Sequence, residues 1–128
     1  MADAPANAND AVATVTLDVF SGRPNPSWTL APEQVRELQD RIKALSMPLA
    51  GEPDVPDLGY RGVTVTISGS ETSAISVARG GITLTQGSSA ARFQDAGRAL
   101  ERWLVHTGEA QLSPDLLRLV ESDLSAHP

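Results

Sequence analysis

The chain has 128 residues, enough for one domain of ordinary size, and sixteen acidic against ten basic side chains give it a formal net charge of −6. That balance, with no Lys/Arg run, argues against nucleic acid and against anionic membrane surfaces as partners. Cysteine is absent, which excludes disulfides, thiolate nucleophiles and every zinc or iron–sulfur site that relies on sulfur.

Residues 1 to 10 are Ala, Asn, Asp and Pro after the initial Met, with nothing to bury, and read as a flexible tail. They show neither the basic nor the apolar region of a secretory signal, so cytoplasmic residence is the expectation. A single α+β domain is expected over residues 11–125, and residues 126–128 form a frayed end. Two Trp, one Tyr and two Phe are the whole aromatic complement, so the core must be built mainly from Val, Leu, Ile and Ala.

The first strand is expected from Val12 to Phe20, with Val15, Leu17 and Val19 on one face and Thr14, Thr16 and Asp18 on the other. The segment Ser21 to Ser27 stops it with two prolines, a glycine and an asparagine. A helix then begins at Pro32 and runs to about Leu45, with Val35, Leu38, Ile42 and Leu45 as its apolar stripe and Glu37/Arg41 as a solvent-side pair. Residues 46–60 form a long connection interrupted by Pro48, Pro53 and Pro56.

From Arg61 to Ser68 the residues alternate cleanly as a strand, and Gly69 to Thr72 turn the chain into another, Ser73 to Arg79, with Ile75 and Val77 inward. Gly80-Gly81 signals a hairpin into Ile82 to Gln86. A helix is expected from Ala90 to His106, carrying Phe93, Ala96, Leu100, Trp103 and Leu104 on one side and ended by Thr107-Gly108. The last helix starts with Ser113 as cap and Pro114 at its first position and reaches about Ser125. The expected fold is therefore α+β in the order β-α-β-β-β-α-α, a four-stranded mostly antiparallel sheet with helices on one face. The direction of the first strand in that sheet stays open.

Histidine would favour general base or metal chemistry, but His106 sits in a last helical turn, where the dipole favours a cation, and His127 lies in the end segment. Glu52, Asp54 and Asp57 crowd one Pro-interrupted loop that lacks the spacing of a calcium site. Neither Gly69-Ser70-Glu71 nor Gly87-Ser88-Ser89 has the context of a serine nucleophile, and no phosphate-binding glycine loop occurs. No cofactor and no metal are expected.

The least generic segment runs from Phe20 to Trp28. It sets Arg23 and Asn25 on a turn bracketed by prolines, with an aromatic at each end. Phe20, Arg23, Asn25 and Trp28, joined by Tyr60 and Arg61 if the first two strands are neighbours, would form an aromatic and cationic patch for a peptide or a small organic acid. The structural alternative is that Phe20 and Trp28 pack under the helices and Arg23 pairs with an acidic neighbour. The last helix offers a stripe broader than one contact needs, and Leu116, Leu119 and Val120 are candidate interface residues, for instance of a homodimer. The leading reading is a non-catalytic accessory protein that binds a peptide or small ligand. The alternative is a protein–protein interaction module, an inhibitor or subunit, that uses the last helix and the acidic surface. An enzyme comes third and would have to rely on Asp18, Arg23 and Tyr60.

Overall fold

The computed structural model describes residues 12–20, 24–50, 60–68 and 74–126. Strands β1 (Val12–Leu17) and β2 (Ser27–Thr29) precede helix α1 (Pro32–Lys43); β3 (Val63–Ser68), β4 (Ala74–Ala78), β5 (Gly81–Gln86) and β6 (Ser89–Gln94) follow. A 3-10 turn (Ala96–Arg98) leads into α2 (Ala99–Thr107), and a second one (Glu109–Gln111) into α3 (Pro114–Ala126). The α+β class is as expected, but the sheet is not four-stranded. It has six strands in the order β2-β1-β3-β4-β5-β6, and every neighbouring pair is antiparallel.

Two strands were not expected, and each has a local cause. The proline-bracketed segment does more than stop β1, because the chain returns along it: the Leu17 amide donates to the Pro26 carbonyl and the Leu30 amide to the Ala13 carbonyl, both at 2.9 Å. Trp28 thereby lies opposite Val15. Both prolines precede an edge strand, where a missing donor breaks no ladder bond. The other addition is β6, which occupies the start of the expected Ala90–His106 helix. Gly87 takes φ 58° at the tip of a two-residue hairpin, the left-handed conformation such turns require. Phe93 then stands opposite Ile82 rather than on a helical stripe. Helix α2 cannot begin before Ala99, because Gly97 (φ 64°) and Arg98 (φ 53°) are both left-handed.

The direction that the sequence left open is settled by the same pairings. Strand β1 sits between β2 and β3, antiparallel to both, with Val15 opposite Trp28 on one side and Val65 on the other. The β4–β5 turn uses Arg79 and Gly80, one residue earlier than the Gly80-Gly81 signal suggested. Helix α1 starts at Pro32, and its Ala31 cap offers no side-chain acceptor; the Gln34 side chain instead accepts from the Ala31 amide at 2.8 Å.

One face of the sheet, with Ala13, Val15, Leu17, Trp28, Val63, Val65, Ile67, Ile75, Val77 and Ile82, is buried. It packs against Val35 and Leu38 of α1, Leu100, Leu104 and Val105 of α2, and Val120 and Leu124 of α3. The core thus lies between one sheet face and three helices, as the alternation along the strands demands.

Candidate functional site

At the β1–β3 end of the sheet, backbone bonds tie Asp18 to Gly62 and Arg61 to Asp18 at 2.9 and 2.8 Å. The Asn25 side-chain oxygen accepts from the amides of Val19 (3.0 Å) and Phe20 (2.7 Å), and Asn25 Nδ2 donates to Asp18 at 3.4 Å. Arg61 completes the knot, donating at 2.8 Å both to the Asp18 carboxylate and to the Phe20 carbonyl. Phe20, Asn25 and Arg61 are therefore brought together, with Asp18 as the group that unites them. Their polar atoms are engaged with one another and with Asp18 and Val19. Arg23 lies outside the described residues.

Trp28 and Tyr60 go elsewhere. Trp28 is 6% exposed; its indole N–H donates to the Thr107 hydroxyl at 2.9 Å, and its ring lies so close to Gly108 that no side chain would fit there. Tyr60 is 4% exposed and donates its hydroxyl to Glu101. Both aromatics are spent inside the molecule. Asp18 and Tyr60, two of the three groups a catalytic reading would use, have different partners.

The densest polar arrangement was not singled out in the sequence. Arg98, 2% exposed, donates to both oxygens of the fully buried Glu101 at 2.9 and 2.7 Å. It also reaches the Asp123 carboxylate at 3.0 Å and the Asp123 carbonyl at 3.2 Å. Arg79 adds a second cation to Asp123 at 3.3 Å. Both arginines have positive φ, 49° for Arg79 and 53° for Arg98, and they are the only non-glycine residues that do so among those described. Asp95 closes the cluster by accepting from the amides of Leu100 (2.9 Å) and Glu101 (3.1 Å), two of the orphan donors at the start of α2.

The protonation states follow from these surroundings. Burial, then the charge and hydrogen bond of Glu101, push the Tyr60 hydroxyl far above its ordinary range. For Arg98, burial alone would weaken the cation, but the hydrogen bond and charge of Glu101, with Asp123, more than offset it and raise its pKa. Burial raises the Asp95 carboxyl, against the two backbone bonds that favour its ionised form. Chemically this is a closed ion network that ties the β4–β5 turn, the start of α2 and the end of α3 to one another. It presents no free nucleophile.

Exposed His106 lies 3.1 Å from the Glu109 carboxylate, while His127 lies outside the described residues, as do Glu52, Asp54 and Asp57. Among the described residues no group of three His, Asp or Glu side chains is placed to hold a metal ion. No described helix is long and apolar enough to cross a membrane.

Two surface features remain. An open groove of about 310 Å³ runs between the end of α1 and the start of α2, lined by Arg41, Leu45, Met47, Asp95, Ala99 and Leu100 among others. Beside it the Arg41 guanidinium lies 4.9 Å from the centroid of the Trp103 ring. On α3, Val120 is fully buried, Leu116 and Leu117 are half-buried against the core, and Leu119 is 43% exposed. Asp115 and Glu121 are exposed on the same helix, with Asp115 paired to Arg118.

No family model matches this chain, and no curated protein and no solved structure matches it either.

Proposed function

We propose that this domain is a protein–protein interaction module, an inhibitor or subunit, that docks a partner on the outer flank of α3. The observation that carries this reading is Leu119. It is one of three large hydrophobic residues left exposed among those described, and it stands on a helix whose other apolar residues are already committed to the core. Beside it the Asp115 carboxylate is paired with Arg118, so its rim is polar with balanced charge. The peptide or small-ligand reading draws less support, because Trp28 and Tyr60 serve the core and Asn25 and Arg61 bond to Asp18, Val19 and Phe20.

The test compares the affinity-tagged wild-type chain with Leu119→Glu and Asn25→Ala, with circular dichroism as the check on folding. A binding protein retained by wild type and by Asn25→Ala, but lost from a folded Leu119→Glu, is the expected result. Retention that survives Leu119→Glu and fails with Asn25→Ala would move the site to the loop.

A further inference from the structure

The solvent face of the sheet has a composition that solubility does not account for. Register aligns its side chains in two rows across five strands. One row is Thr29, Thr14, Thr66, Ala74 and Thr85; the other is Ser27, Thr16, Thr64, Ser76 and Thr83. Every position but Ala74 bears a hydroxyl, and none bears a charge, in a chain where 20% of residues are charged. Antiparallel sheets with one wet face ordinarily carry mixed polar and charged residues there. Charges stand at the borders of this face: Asp18, two residues beyond Thr16 and paired with Arg61, and Arg92 of β6, which stands opposite Thr83 and donates to its hydroxyl at 3.4 Å. All these hydroxyl-bearing residues are exposed or half-buried, and the helices pack on the opposite face.

The chemistry of the face narrows what it fits. Nucleic acid requires cations, which these rows lack. Sugar and aromatic ligands call for aromatic platforms, and Trp28 is turned into the core. A protein partner would need several apolar or aromatic anchors, and the described face offers one, Val12, 50% exposed at its corner opposite Ser68. What the face does offer is a two-dimensional repeat, with a step of ~4.8 Å between strands and ~6.8 Å along them. Each hydroxyl both donates and accepts. Threonine's branched side chain is stiff, so the array is held in place before anything binds.

We propose that this face binds ice, an uncharged, repeating lattice of hydrogen-bond donors and acceptors that a fixed array of hydroxyls can match. Neighbouring strands twist by about 20–25°, so the match is best over three adjacent strands, β2, β1 and β3. There the hydroxyls of Ser27, Thr29, Thr14, Thr16, Thr64 and Thr66 are contiguous. The site does not share a residue with the α3 flank.

The experiment is ice-recrystallisation inhibition with the purified full chain, against serum albumin as control, for wild type, Thr64→Lys at the centre of the array, Gln111→Lys, which adds the same charge at an exposed position off the sheet, and Leu119→Glu. Circular dichroism establishes that each variant is folded. Wild type, Gln111→Lys and Leu119→Glu are expected to keep ice grains small, and Thr64→Lys to lose most of that effect. Wild-type grains that coarsen as fast as those in albumin would overturn the proposal, as would a folded Thr64→Lys that inhibits like wild type. Co-sedimentation with crystalline cellulose without an effect on ice would overturn it in favour of a polysaccharide.

Discussion

Removing the Arg98 guanidinium would leave Glu101 buried with its charge uncompensated, since Tyr60 and backbone dipoles remain but no cation replaces the one lost. Arg98→Met should therefore cost about 3–5 kcal/mol, while the double variant Arg98→Met/Glu101→Leu, which removes both charges from the interior, should recover part of the loss, the buried Tyr60 hydroxyl then losing its acceptor. Urea unfolding of the two single variants and the double closes the cycle, and a double variant no better than Arg98→Met would show that the pair is not the unit. This cluster was illegible in the sequence for a simple reason. An arginine and a glutamate three residues apart look the same whether solvated or buried, and the comparable Glu37/Arg41 pair does lie at the surface. Asn25, by contrast, was readable as a turn former, but the two amides it accepts from, Val19 and Phe20, were not.

At the scale of elements, the readable parts were those with a long, regular period. Strands β3 and β4 and the apolar stripe of α1 fall where alternation and helical spacing placed them. The failures are short or interrupted elements: β2 has three residues, too few for a period, and the stretch from Ser89 to Leu104 happens to place apolar residues at helical spacing while forming a strand, a turn and a helix. Two glycines separate backbone demand from space. Gly97 needs a positive φ of 64° but has no heavy atom within 4 Å of an added Cβ, so Gly97→Ala should cost only about 1–2 kcal/mol and leave the tryptophan emission unchanged. Gly108 has an ordinary φ of −113°, but an added Cβ would lie 2.1 Å from the Trp28 ring. Gly108→Ala should thus cost about 1–3 kcal/mol through overpacking and shift the Trp28 emission to the red as the ring is displaced. A red shift in Gly97→Ala and none in Gly108→Ala would reverse this assignment.

Across the whole molecule, the sequence conveyed the α+β class and the separation of sheet from C-terminal helices, because those depend on composition averaged over many residues. Strand number and order depended on where single turns fall, and of the candidate ligand patch Phe20, Asn25 and Arg61 come together while Trp28 and Tyr60 are buried in the core. The response of the fold to pH rests on Asp95, whose carboxyl is raised above the ordinary aspartate value of 3.8 mainly by burial, with the Leu100 and Glu101 amides and then Arg98 opposing and the Glu101 charge assisting. Folding therefore favours the protonated carboxyl. The stability that this confers is complete below the ordinary aspartate range and is lost as pH rises through the higher value of the folded state. Asp95→Asn removes the burial penalty on the charge, and its side-chain oxygen can still accept one of the two amides at the start of α2. The variant should accordingly be at least as stable as wild type at neutral pH, with a margin that shrinks as pH falls toward the ordinary aspartate range. Urea unfolding of both proteins across that interval measures the margin. If it instead favours wild type at neutral pH and narrows on acidification, the two amide bonds outweigh burial, and Asp95 acts as a stabilising helix cap in its charged form.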